Sequence, residues 1–226
     1  MLQLRTCSAR RYRLEGRLPS PYDEAFHARL TDRRFLPLAP LEEHTFGWVT
    51  ADNLLVTRFD VDTVVRGELA VLGLRIDRRR PDARLARARL ELEIEARRKA
   101  AHDAGRPFRL GRDERVQLKS DIHTEMLKET PPKVEVHTVF VDPKHRLLWM
   151  LALAKGANEL LARLVRDTFA VELTPLTPFR RAQEVLAGQP GAERIDALGR
   201  SEFALRPAVA LPSSVGGAER EKEVLA

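Results

Sequence analysis

Apolar positions recur along this chain with two periods, near two and near four, and the switches between them mark its elements. Arg10–Leu14 predicts a short basic strand. After Pro19-Ser20-Pro21, the four-residue spacing of Tyr22, Phe26 and Leu30 predicts a helix over Tyr22–Leu30. Asp23 and Glu24 fall in its first turn, where carboxylates suit the helix dipole. Phe35–Leu38 is an apolar connector. Phe46–Val49 and Leu54–Phe59 predict strands, Asp60-Val61-Asp62 a turn, and Thr63–Ile76 a long strand or hairpin. Leu69, Val71 and Leu74 are its expected core positions.

A helical period then takes over. Asp82 is placed to cap a helix starting near Ala83, and Leu85, Ala88, Leu92 and Ala96 fall on one face. Leu90–Glu95 alternates and also fits a strand, but the surrounding alanine and arginine and the scarcity of β-branched residues favour helix. Gly105-Arg106-Pro107 breaks the run. Asp113–Glu129 resumes it with Leu118, Ile122 and Met126 as the stripe, so the pair predicts a helical hairpin. Beyond it, Val134–Val141 reads as a strand, Asp142–His145 as a turn and Leu147–Leu153 as a more buried strand. Ala157–Phe169 is a helix with Leu160, Leu161, Leu164 and Val165 inward. Val171–Leu176 is a strand and Phe179–Ala187 a short helix.

The pattern predicts an α+β fold: an antiparallel-rich sheet with packing helices and an inserted basic helical hairpin. Residues 1–187 are expected to form this domain, with the insert at 78–133. Residues 188–226 are expected to be a weakly structured extension, ending in a disordered tail from Ser213.

Charge sharpens the picture. Arg78–Lys133 holds 16 basic and 10 acidic residues, whereas the rest of the chain holds 23 of each. The whole formal excess of +6 therefore sits in the hairpin, and an excess of that kind points to an acidic partner. Arginine outnumbers lysine 32 to 7, a bias that genome composition also produces, so placement carries more weight than abundance. The candidate phosphate-binding residues are Arg78, Arg79, Arg80, Arg84, Arg87, Arg97, Arg98, Lys99, Arg106, Arg109, Arg112, Arg115 and Lys119. Arginine adds a planar fork that pairs two phosphate oxygens. The bland alternative is a solvated helix face with internal pairs such as Glu93–Arg97 and Glu95–Lys99.

Other chemistries find less support. A metal-dependent nuclease would draw on Asp60 and Asp62 with Asp142 or Glu125, but their spacing does not converge. His44, His137 and His145 lack zinc spacing, and His123 and Glu125 diverge on a helix. There is no G-x-S-x-G and no phosphate-cradling glycine loop, so neither catalytic residues nor a metal or cofactor is expected. Trp48 and Trp149 read as core. Cys7 is the sole cysteine, which fits a reducing compartment. Met1–Gly16 lacks the pattern of a signal peptide. Leu147–Ala154, the longest apolar run, falls far short of the roughly 20 residues that span a bilayer. The expected location is the cytoplasm, without a membrane partner.

The ordered set of motifs resembles the RdgC family of recombination-associated proteins, some of which carry an exonuclease label. Those motifs are Phe46-Gly47-Trp48-Val49, then Gly111–Arg115 and Leu118–Asp121 in the charged hairpin, then Val139–Asp142 with Leu147–Leu153. Val165–Phe169 and Leu173–Leu176 complete them, and the resemblance covers roughly residues 10–187. It implies double-stranded DNA binding without sequence preference, nucleoid association, and restraint of RecA-driven recombination by occupying DNA. Longer members form a ring-shaped dimer around DNA, so a homodimer is implied, with the hairpin as a projecting tip. The resemblance is to a short, C-terminally truncated member. Met126–Pro132 stands where the family has Leu-Leu-Pro and then Ala-Phe, so the tip phenylalanine has no counterpart. Ala154–Ala157 likewise replaces a more polar segment. Two rival functions stand beside DNA binding: a metal-dependent exonuclease, and a protein-interaction or dimerisation module.

Overall fold

Two ten-residue strands form the spine of the fold, β4 (Leu69–Arg78) and β5 (Lys133–Asp142). They pair antiparallel from Ala70↔Val141 to Arg78↔Lys133. The computed structural model describes residues 7–189 and Ile195. Beside the spine lie β2 (His44–Thr50) on one flank and β6 (Leu147–Met150), β1 (Arg10–Glu15) and β7 (Glu172–Pro175) on the other. The order is β2-β4-β5-β6-β1-β7, with the two-residue β3 (Val65–Arg66) pairing the start of β4. Every strand pairing is antiparallel, so the α+β architecture read from the sequence is the one observed.

One face of the sheet carries two helices, α1 (Glu24–Asp32) and α5 (Lys155–Phe169). Ala70, Leu72, Leu74 and Ile76 of β4 turn toward them, with Val139 and Val141 of β5 and Leu148 and Met150 of β6. Phe26 and Leu30 of α1 are fully buried, and the Phe26 ring stacks on Phe169 at 5.0 Å. Two buried polar links fix the register of α5. Trp48 Nε1 donates to Thr168 Oγ1 at 2.8 Å, and the Tyr12 hydroxyl donates to Asn158 Oδ1 at 2.7 Å.

At the outer edge of β2 the chain after α1 runs alongside the strand and makes a single parallel bridge, Arg34 opposite Trp48. Phe35 N donates to Trp48 O at 2.8 Å, and Trp48 N donates to Arg33 O at 3.1 Å. Gly47 allows this approach: a Cβ there would lie 2.6 Å from Phe35 Cα. Arg75 stacks over the Phe35 ring at 4.1 Å and grips Asp77 with two hydrogen bonds, of 2.8 and 2.7 Å.

Several local expectations need correction. Tyr22 lies before α1 and is exposed, its hydroxyl donating to Gly67 O, so the helix stripe is Phe26 and Leu30 alone. Leu54–Phe59 is loop, because Asn53 Oδ1 accepts from Leu55 N and makes a local turn that competes with a strand ladder. Asp60 is the N-cap of a one-turn helix, α2 (Val61–Val64), where it and Thr63 exchange hydrogen bonds. The long strand therefore begins later, after a tight turn. Of its expected core positions, Val71 and Leu74 are buried, on opposite faces because the pleat alternates strictly, whereas Leu69, on the Val71 face, is only half-buried. Leu147–Leu153 shortens to β6. Trp48 is fully buried, whereas Trp149 is half-buried on the face away from the helices, opposite Phe140 and Arg11.

The chain divides into two compact units at Pro178. The second opens with α6 (Pro178–Leu186), an amphipathic helix with no buried residue. The expected weakly structured extension at 188–226 lies almost wholly outside the described residues. No helix among the described residues is long and apolar enough to cross a membrane.

Candidate nucleic-acid interface

Between Arg78 and Lys133 the chain leaves the sheet as two helices, α3 (Ala83–Asp103) and α4 (Arg112–Glu129). Asp82 starts the first by accepting from Arg84 N and Leu85 N. Gly105 ends it: its φ of +63° is open to glycine, and Arg106 N donates to Ala101 O across the end of the helix. Asp113 and Glu114 then occupy the first turn of α4, where negative charge suits the helix dipole, and Glu114 accepts from Gly111 N.

The two helices hold each other through a thin core. Leu118, Ile122 and Met126 of α4 are buried against Ala86, Leu90 and Ile94 of α3. The α4 stripe is the expected one, but the α3 stripe is not. Leu85 and Leu92 are 50% and 68% exposed, and the packed residues are one step around the helix. Alanine is frequent all round α3, so period alone does not select the face; the position of α4 does. No residue of α3 is buried, and Arg89 ties it to Glu129 of α4 at 2.7 Å. Sequence reading passed over Arg89 because its partner is 40 residues away.

The candidate cations fall into distinct environments. At the root, Arg78 pairs with Glu135 at 3.4 Å. The Arg79 guanidinium donates to Ala39 O and Pro40 O, and its Nε is buried without a partner. Arg79 is thus a clamp on the loop before β2. Arg87 pairs with Glu91 and Arg97 with Glu93, each at 3.0 Å and each four residues apart. Arg98 lies over the Phe108 ring at 5.9 Å. The others carry no carboxylate partner among the described residues: Arg80 at the root, Arg84 and Lys99 on α3, Arg106 and Arg109 at the tip, and Arg112, Arg115 and Lys119 on α4. All eight are exposed.

The tip and the root are separate. Arg98 lies eleven residues beyond Arg87, about 16 Å further along α3 at 1.5 Å per residue. At the root, Arg79, Arg80, Arg87, Arg115 and Lys119 converge on one groove of about 650 Å³, floored by Ala86, Leu90 and Ile122. Glu43 and His123 also line it and contact each other at 3.1 Å. Neither was singled out from sequence as a partner of the other, and no spacing signal joins residues 80 apart.

The acidic residues of the nuclease alternative are placed differently. Asp60 caps α2, and the burial of Asp142 in the β5–β6 turn is outweighed by hydrogen bonds from His145. Among the described residues, no three His, Cys, Asp or Glu side chains gather into a group that could hold a metal ion.

Comparison with known proteins gives one family. A family model described as "RdgC: Putative exonuclease, RdgC" matches residues 8–188. No curated protein matches the chain.

Proposed function

The chain belongs to the RdgC family of recombination-associated proteins, and on that premise we propose that it binds double-stranded DNA without sequence preference. The observation that carries this reading is the imbalance on the hairpin. Its cations outnumber its carboxylates, and eight candidate cations stand exposed without a carboxylate partner among the described residues. Such side chains lose little on meeting phosphate, since no internal ion pair has to break. Each phosphate they neutralise releases condensed counterions, an entropic drive that ignores base sequence. Arg98, Lys99, Arg106 and Arg109 gather toward the hairpin tip, and Arg112 adds charge at the start of α4.

Occupation of the duplex by this hairpin restrains RecA-driven exchange, and nucleoid association follows from the same contacts. A homodimer would double the phosphate contacts. The protein-interaction reading is served by the same exposed helices but leaves the charge excess without a purpose.

The test is a duplex titration at several salt concentrations, comparing the protein with Arg98→Ala/Lys99→Ala/Arg106→Ala/Arg109→Ala. Log affinity should fall linearly with log salt, and each lost phosphate contact should lower the slope by about 0.9. Unchanged affinity and slope would remove the hairpin tip from the interface.

A further inference from the structure

The groove at the hairpin root differs in kind from the charged tip. Arg80 and Arg87 reach it from the β4–α3 side, and Arg115 and Lys119, one helical turn apart, reach it from α4. Of these four, Arg87 alone has a carboxylate partner among the described residues, namely Glu91. Like charges gathered in one concavity repel, and an anion placed among them relieves that repulsion. The single carboxylate of the lining, Glu43, is engaged by His123. The floor, however, is apolar: Ala86, Leu90 and Ile122. At about 650 Å³ the groove lies inside the range of about 300–1,000 Å³ typical of small-ligand pockets.

A duplex answers only half of this chemistry. Its phosphates face outward and its base faces are hidden in the stack, so the floor would stay wet beneath it. An acidic peptide would bring carboxylates against Glu43. An unpaired nucleotide offers an anionic phosphate, a flat apolar face and base-edge N–H donors that a carboxylate accepts.

We propose that this groove binds one unstacked nucleotide unit, its phosphate among Arg80, Arg115 and Lys119 and its base on the Ala86–Leu90–Ile122 floor. This rests on the DNA-binding reading and deepens it, giving the protein a subsite for unpaired nucleotides beside its duplex contacts. A free nucleotide and a nucleotide within a strand present the same chemistry.

The experiment uses the full chain with four probes: deoxyadenosine monophosphate, a labelled single strand, a duplex of equal length, and polyglutamate. Two charge reversals are compared, Arg115→Glu/Lys119→Glu in the groove and Arg106→Glu/Arg109→Glu at the tip. Methyl resonances of Leu90 and Ile122 should shift as the mononucleotide is added to the protein and to the tip variant, but not to the groove variant. The groove variant should lose about tenfold or more in single-strand affinity and markedly less for the duplex, while the tip variant weakens both. Silent methyl resonances overturn the proposal, as does an equal loss for both strand forms in the groove variant. Equal methyl shifts with polyglutamate overturn it too and assign the groove to an acidic protein. If no DNA binds at any salt, the duplex reading fails, and the mononucleotide shifts decide the groove independently. Duplex binding with silent methyl groups sinks the groove proposal alone.

Discussion

Arg78 and Lys133 face each other across the β4–β5 ladder, as the last register pair before the chain departs into the hairpin and the first after it returns. Two like charges directly opposite on neighbouring strands destabilise a sheet. Glu135, two residues along β5, offsets this by contacting Arg78 at 3.4 Å and Lys133 at 3.1 Å. Lys133 beside it holds the Glu135 carboxyl below its usual range, against a smaller upward push from burial. Glu135→Gln should therefore leave the two cations unscreened. The expected loss is up to about 1 kcal/mol, since the partners are largely solvated. Urea denaturation of the full chain reads this directly, and hydrogen exchange in β4 and β5 should accelerate near Arg78 and Lys133. An unchanged midpoint would mean solvent already screens the pair.

Gly47→Ala should cost more. The added Cβ would meet the Phe35 backbone at 2.6 Å, and that backbone is held by hydrogen bonds to Trp48 on either side. Backbone cannot rotate away as a side-chain tip can, so the segment beside β2 must shift. Overpacking of this kind costs about 1–3 kcal/mol. A denaturant midpoint within error of wild type would show that the segment yields freely.

The Trp48–Thr168 link tests how α5 is fixed on the sheet. Thr168 Oγ1 accepts from the indole and itself donates to Leu164 O at 2.6 Å. Thr168→Val keeps the shape but strands the buried indole N–H. That should destabilise by about 1–3 kcal/mol. Thr168→Ser keeps the acceptor and should retain most of the stability, a contrast that thermal unfolding of the two variants resolves.

Acid should destabilise the fold in two stages. His137 lies on the core side of β5 opposite Leu74, with Nε2 buried and without a partner, and burial pushes its imidazole below the usual range. The unfolded chain then takes up a proton that the folded chain refuses. Stability is full above the ordinary histidine value of about 6.5 and declines as pH falls below it toward the lower folded value. Asp142 follows at lower pH. Burial pushes its carboxyl up, but hydrogen bonds from His145 outweigh this and hold it low. Its contribution is present above the ordinary carboxylate range and is lost as pH falls through its depressed value. Melting temperatures from pH 7 to 5 should fall for the protein and stay flatter for His137→Leu. Parallel curves would assign the first stage elsewhere.

Charge placement also predicts which arginines matter for DNA. Arg97 is held by Glu93 and Arg79 by two carbonyls, whereas Arg106 and Arg109 are exposed and without a carboxylate partner among the described residues. Arg106→Ala/Arg109→Ala should weaken duplex binding more than Arg79→Ala/Arg97→Ala and lower the salt slope by about 2. Equal slopes for the two pairs would mean that ion pairing within the hairpin does not decide which cations reach phosphate.

The alternation of β5, the four-residue stripe of α4 and the Asp82 cap were legible in the sequence because each is a local rule: a pleat, a helical turn, a side chain two residues from the amide it caps. The concentration of charge in residues 78–133 was legible for the same reason, as a count. What failed was decided between elements. Leu85 and Leu92 form as good a stripe as Ala86, Leu90 and Ile94, and only the approach of α4 chooses between them. Leu54–Phe59 has strand composition, yet the turn at Asn53 and the Arg75 bond to Leu54 O hold it as a loop. The groove likewise unites Glu43 with Arg80, Lys119 and His123, from three separate stretches of chain. Local sequence determined the elements and where the charge lies. The tertiary structure decided which faces pack, which cations keep internal partners, and which converge on a shared concavity, because those depend on distances between residues that no periodicity relates.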